Sequence, residues 1–241
     1  MSESQQLPLL GADPYFPFPP TQQALDSPNG LLAWGGDLHP VRLLRAYRRG
    51  IFPWYSEDQP ILWWSPAPRC VIEPRAAYLS RRTRRRYNSG VYRLSLNRAF
   101  REVVLACAEP RAGDEGTWIT REMVEAYCQL HESGHAHSLE VWQGDELAGG
   151  IYGLAIGAMF FGESMFSRRT DASKIALIAL CRLLISQGFE LMDCQVANPH
   201  LERMGAVMMP RDEFENRLER LVTRAVPTGF WQHPPIFNER W

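Results

Sequence analysis

"HESGHAHSLEVW", residues 131–142, decides between two folds and two chemistries. Its first five residues fit H-E-x-x-H, in which two histidines one helical turn apart hold zinc and the glutamate between them activates water. That chemistry needs one continuous helix through Gly134. Glycine is the usual left-handed stop of a helix, and the residues after it change period. His135, His137, Leu139 and Val141 alternate with Ala136, Ser138, Glu140 and Trp142 in the manner of a half-buried strand. His131 and His135 then belong to different elements, and a zinc peptidase stays on the page only as a rival.

Upstream, Met123, Ala126, Tyr127 and Leu130 recur at helical spacing, so a helix starts near Thr120 and reaches Glu132. Before it the sequence predicts a helix over residues 76–87, a strand over 92–95, and a helix capped by Asn97 that runs through Ala108. Downstream, "QGDE" is a hairpin turn, and residues 147–166 supply two further strands whose glycines permit bends. A helix over 171–187 stops at Gly188. The strand "FELMDCQV", a short helix near "PHLERMGA", a strand at 207–209 and a helix over 211–222 complete the run. A three-stranded meander, a helix, a strand, a short helix and a last strand follow the order of an acyltransferase (GNAT-like) fold with a mixed sheet. The first 68 residues differ: ten prolines from Pro14 to Pro68 punctuate short segments, and one helix is expected from Pro40 through Arg49. The expected class is α+β, with a small irregular N-terminal α/β domain over residues 1–68 and a GNAT-like domain over 69–241. Topology alone names no function.

A chain of 241 residues, 45% hydrophobic, can bury a proper core. Its start, "MSESQQLPLLGADPYFPFPP", lacks a basic segment followed by an apolar one, so no secretory signal is read and a cytoplasmic location is expected. The longest uncharged run, 147–162, is short for a bilayer and cut by glycines, which argues against a membrane span. Five scattered cysteines without C-x-x-C spacing argue against a disulfide framework and a cysteine–zinc site. Net charge is −1, yet nine arginines and no carboxylate lie between Arg75 and Arg101, densest in "RRTRRRY". Such segregation makes a local positive field suited to a phosphate backbone; a solvated helix face reads equally well. Lys174 is the one lysine among 26 basic residues, which suggests a need for a compact ammonium, with chance as the competing account.

An acyl-CoA enzyme should carry a glycine-rich turn between meander and helix to hold a pyrophosphate. Here that turn is "SRRTDAS", without glycine; Ser167, Arg168, Arg169, Ser173 and Lys174 suit an anionic donor of another shape. Two carboxylates lie in apolar strands, Glu163 in "FFGESMFS" and Asp193 in "LMDCQV", and buried carboxylates are either paired or functional. Gln195 is expected on the same strand face as Asp193, with Cys194 pointing the opposite way into the core. Trp54, Tyr55, Trp63, Trp64 and Trp118 offer flat faces that stack on a base, enclose an apolar side chain, or fill a core.

"GLLAWGGDL", "GIFPWYS", "ILWWSPAPR", "GTWIT", "HESGHAHSLEVW", "GGIYG", "FGESMFS", "ASK" and "DCQVAN", taken in order from about Pro28 to Asn198, resemble the leucyl/phenylalanyl-tRNA–protein transferase family. The resemblance implies a cytoplasmic enzyme that moves leucine or phenylalanine from Leu-tRNA or Phe-tRNA onto the N-terminal arginine or lysine of a protein, marking it for N-end rule degradation. It implies no metal, CoA or other cofactor; a monomer is expected, although the sequence leaves the oligomeric state open. By resemblance, Asp193 and Gln195 orient the acceptor amine and help take its proton, Glu163 holds the cationic acceptor, and polar groups near Ser164 meet the oxyanion. Met159, Phe160, Met165 and Met192 would wall the donor side-chain pocket, flexible enough for both amino acids. Trp54 and Trp118 would lie against the terminal adenosine and the aminoacyl group, and Lys174 and Asn198 complete the binding set. Arg81, Arg82, Arg84, Arg85 and Arg86 would grip tRNA phosphates. A noncatalytic RNA-binding module, with the carboxylates purely structural, is the second rival.

Overall fold

A computed structural model describes residues 7–110, 118–232, 237, 240 and 241; Gly116 and Thr117 of "GTWIT" lie outside the described residues. The first part of the chain gives β1 (Leu9–Leu10), β2 (Leu31–Gly35), α1 (Pro40–Tyr47), β3 (Phe52–Pro53) and β4 (Leu62–Trp64). Then come β5 (Arg69–Ile72), α2 (Arg81–Asn88), β6 (Arg93–Leu96), α3 (Phe100–Ala108) and α4 (Arg121–Glu132). The remainder is β7 (Ala136–Gln143), β8 (Glu146–Ile156), β9 (Met159–Ser167), α5 (Ala172–Ser186), β10 (Leu191–Asp193), α6 (Pro199–Arg203), β11 (Val207–Met209) and α7 (Arg211–Thr223). The class is α+β. The early strands form a small sheet in the order β1-β2-β4-β3, and the later ones a mixed sheet in the order β11-β5-β10-β9-β8-β7-β6.

Local chemistry sets the helix limits. Thr120 accepts the Met123 N–H and starts α4, while Gly134, at φ +79°, lets the chain turn back into β7 after Glu132. Ser80 caps α2 by accepting the Thr83 N–H, so the helix expected over 76–87 begins later, after a separate 3-10 turn at Pro74–Ala76. Asn97 does not cap α3. It sits at φ +57° and spends its side chain on His137 Nδ1, the Trp231 carbonyl and the Ser138 N–H.

The meander β7-β8-β9 is antiparallel, and β10 returns parallel to β9 after α5. Helix α5 is apolar on nearly every side and covers one face of the sheet, packed with Leu139, Val141, Ile151 and Phe160. On the other face α3 and α4 pack with Tyr152, Leu154 and Phe161. With both faces covered, β7 is buried from Ala136 to Val141, and the half-buried strand expected there is corrected. Glu140, on the strand face opposite Leu139 and Val141, is fully buried too and accepts from Ser138 Oγ and Ser95 Oγ.

In the mixed sheet one strand had no counterpart in the sequence reading. β5 lies antiparallel between β10 and β11, with Val71 opposite both Asp193 and Val207. Its four residues are flanked by prolines and follow the small sheet directly, which disguises them as a linker. The strand expected from "FELMDCQV" is shorter than read and ends at Asp193.

Candidate functional site

Strands β9 and β10 pair only where Met159–Phe161 faces Leu191–Asp193. Beyond that point β10 stops while β9 continues to Ser167, and the two chains part around a cavity of about 1010 Å³. Gly162, Glu163, Ser164 and Met165 line one wall, Cys194, Gln195 and Asn198 the other, with Ile151, Leu177 and Met192 at the apolar floor and Trp54 and Trp118 above.

Glu163 reaches this cavity through a bulge. Tyr152 pairs with Ser164 and Gly153 with Gly162, so Glu163 is an extra residue on β9 with no opposite number on β8. A Cβ at Gly153 would stand 2.0 Å from the Phe161 carbonyl oxygen, so glycine there is what lets the strands close over the bulge. The carboxyl meets Tyr47 of α1 and Tyr127 of α4, whose hydroxyls lie 2.7 Å from Oε1 and 2.7 Å from Oε2. The hydroxyls lie 2.5 Å from one another. Burial pushes the Glu163 carboxyl up to about 7 against the opposing pull of the tyrosine hydrogen bonds. Burial also drives both phenols well above their ordinary range, so each keeps its proton.

Asp193 is arranged differently. It is fully buried, and Arg69 of β5 donates from Nε (2.8 Å) and Nη2 (2.7 Å) to its two oxygens. The guanidinium lies 4.9 Å from the Phe52 ring centroid and 4.8 Å from that of Phe214. Asp193 Oδ1 also accepts the Gln195 backbone N–H at 2.9 Å. The carboxylate therefore does not border the cavity. Gln195 does, but not by sharing a strand face with Asp193, as its spacing suggested: it follows the end of β10 at φ +56° and turns into the cavity instead. Its Nε2 is buried without a hydrogen-bond partner among the described residues.

Other expected site residues divide in the same way. Trp54, Trp118, Ser164, Met165, Met192 and Asn198 border the cavity. Asn198 also caps α6, accepting from His200 N and Leu201 N. Met159 and Phe160 do not border it. They lie in the paired stretch of β9, buried beneath the point of separation. Lys174 is also displaced: its Nζ lies 2.9 Å from Asp171 Oδ1, away from the cavity, and Arg86 reaches the same carboxylate at 3.3 Å. Arg81, Arg82, Arg84 and Arg85 stand exposed on α2. Cys194, expected in the core, is buried but also borders the cavity, and burial pushes its thiol well up.

Sequence reading overlooked Arg69, Tyr47, Tyr127, Ile151 and Leu177. An arginine inside a short apolar run was a signal as strong as Asp193, since a buried charge calls for a partner, although it does not say which. A tyrosine on the apolar side of a helix likewise needs a partner for its hydroxyl.

His131 ends α4 with its ring stacked on Phe100 and Nδ1 donating to the Ala136 carbonyl, while His135 follows the turn in another direction. Among the described residues no group of three or more His, Cys, Asp and Glu is arranged to hold a metal ion. Among the same residues no helix is long and apolar enough to cross a membrane.

A family profile described as leucyl/phenylalanyl-tRNA protein transferase matches residues 71–219, and one described as the N-terminal domain of that transferase matches 36–67. A leucyl/phenylalanyl-tRNA–protein transferase from Xanthomonas axonopodis pv. citri is 56% identical over 92% of this chain and 90% of its own length. One from Alkalilimnicola ehrlichii is 54% identical over 91% of this chain and 86% of its own. A GCN5-related N-acetyltransferase from Kribbella flavida aligns with 67% of this chain and 57% of its own, at 10% identity and a TM-score of 0.38. By profile and by identity over almost its whole length, the chain belongs to the leucyl/phenylalanyl-tRNA–protein transferase family.

Proposed function

We propose that this protein transfers leucine or phenylalanine from Leu-tRNA or Phe-tRNA to the N-terminal arginine or lysine of acceptor proteins by forming a peptide bond, a tag for N-end rule degradation in the cytoplasm. The carrying observation is one crevice in which a carboxyl, a free carboxamide, an apolar floor and two tryptophans meet. We further propose that the protein acts as a monomer and that residues 1–68 and 69–241 behave as its two domains.

The donor is an aminoacyl ester and already activated, so positioning contributes most of the acceleration. An acceptor α-amine with pKa about 7.7–8.0 is partly neutral near pH 7. Met165, Met192, Ile151 and Leu177 receive the donor side chain, and Trp54 and Trp118 stack against the aminoacyl-adenosine end. Gln195 orients the amine through its carboxamide, whose unpaired Nε2 also offers a donor to the developing oxyanion beside Ser164. Asp193 acts on the amine only through Gln195, because Arg69 occupies both its oxygens. The exposed arginines of α2 hold tRNA phosphates without reading bases.

Labelled leucine on tRNA is expected to become peptide-linked to a substrate beginning with arginine and not to one beginning with an acidic residue. Transfer to both, or to neither, removes the reading. Raising salt in the same assay should weaken tRNA binding steeply, and a flat response would take the phosphate role away from α2.

A further inference from the structure

Behind the cavity, three hydrogen-bonded contacts close a ring: Tyr47 to Glu163 at 2.7 Å, Tyr127 to Glu163 at 2.7 Å and Tyr47 to Tyr127 at 2.5 Å. Each contact needs one proton, and the two phenols carry two. With an ionised carboxylate both phenols donate to it, and the 2.5 Å contact then sets one oxygen's lone pairs against the other's in a buried place. A proton on Glu163 removes the conflict. One carboxyl oxygen donates to a tyrosine, that tyrosine to the other, and the second tyrosine to the remaining carboxyl oxygen. The geometry is that of the acid form.

We infer that Glu163 is the group that takes the proton from the acceptor's α-ammonium, and that Tyr47 and Tyr127 are positioning residues that close around the carboxyl as it receives it. This rests on the aminoacyl-transfer reading above. In the step, one N–H bond of the ammonium breaks and its electron pair stays on nitrogen as the nucleophile's lone pair. The proton bonds to a Glu163 oxygen and cancels its charge. The neutral amine attacks the ester carbon, the C–N bond forms as the C–O bond to ribose breaks, and the nitrogen's surplus proton goes to the departing ribose oxygen. Glu163 then releases its stored proton to water before the next acceptor binds.

The surroundings suit this role. Tyr47 faces the carboxyl from α1, Tyr127 from α4 and Tyr152 from β8, while the Arg69–Asp193 pair across β10 presents two offsetting charges. Burial brings Glu163 to about 7, within reach of an α-amine at about 7.7–8.0, so the proton moves with little bias either way. Among the described residues that border the cavity, the one other carboxylate is Glu109 at the rim, which is paired with Arg168.

Two measurements on the full chain test this. Infrared difference spectra across neutral pH should show the C=O stretch of a carboxylic acid that titrates near neutrality, that shifts in Tyr127→Phe and that is missing in Glu163→Gln. No such band in the wild type, or its survival in Glu163→Gln, overturns the inference. In single-turnover transfer from leucyl-tRNA, Glu163→Gln should slow an ordinary arginine-initiated peptide on the order of a hundredfold. Most of that loss should return when fluorine on the acceptor's β-carbon makes its amine less basic and hence neutral beforehand. Equal slowing of both acceptors is what a merely structural or cation-holding glutamate gives, and it sinks the inference while leaving the transferase reading intact. A wild type that transfers to neither acceptor defeats that reading first, and the inference with it.

Discussion

Asp193 sits where β10 ends, against a guanidinium held between two phenyl rings; Glu163 sits where β9 bulges, against two phenols. Both are carboxyls withdrawn from solvent in adjoining strands of one sheet, yet their neighbours differ in kind. A fixed cation and a backbone N–H occupy the lone pairs of Asp193. Phenols stabilise the anion less, and burial then favours the protonated form of Glu163. The chemistry of a buried acid is thus set by what it is paired with more than by how deep it lies.

The largest break in this contrast should come from Arg69→Met. It strips the cation from a fully buried carboxylate, and removing one partner of such a pair typically destabilises by about 3–5 kcal/mol. Urea unfolding measures this, and the double variant Arg69→Met with Asp193→Leu should recover much of the loss. An unchanged midpoint in the single variant would show that Arg69 is not what holds Asp193.

Gly153→Ala acts on the other carboxyl. The added Cβ would stand 2.0 Å from the Phe161 carbonyl, so either β8 moves or the bulge straightens, at roughly 1–3 kcal/mol. Transfer activity should fall well beyond that of a variant of equal stability, because Glu163 loses its aim while tRNA binding persists. Equal activity at matched stability would mean that the bulge does not set that aim.

The smallest effect is a slope. Folded Glu163 keeps its proton up to about 7, against an ordinary 4.5, so between those values the folded chain binds more protons than the unfolded one. Stability from this group is full below about 4.5 and is lost as pH rises through about 7. Unfolding free energies of wild type minus Glu163→Gln should therefore decline with pH across that window, damped by the side chain's partial contact with water. A flat difference would contradict a shifted Glu163.

Much of this was legible in the chain because periodicity and helix stops are local. The helix end at Gly134, the hairpin, and the order of meander, α5, β10, α6 and β11 all follow from residues within a few positions of one another. Glu163, Gln195, Trp54, Trp118, Met165 and Met192 were reachable as polar or aromatic anomalies in apolar words, or by resemblance. What escaped depends on distant partners. Nothing near Arg69 announces Asp193, which lies 124 positions further on, and nothing near Tyr47 announces Tyr127 or Glu163, at separations of 80 and 116. Strand alternation also misled at Gln195, where a left-handed residue ends the period, and along β7, where helices cover both faces.

The lodging of β5 between β10 and β11 bears on how the molecule is made. A strand that leaves the ribosome early finds its lattice neighbours only after more than a hundred later residues have emerged, and such distant closures are slow steps of assembly. Until then Asp193 has no counter-ion and the crevice no second wall. A nascent or prematurely ended chain is therefore expected to be inert, with reactive competence arriving at the last joining of the sheet.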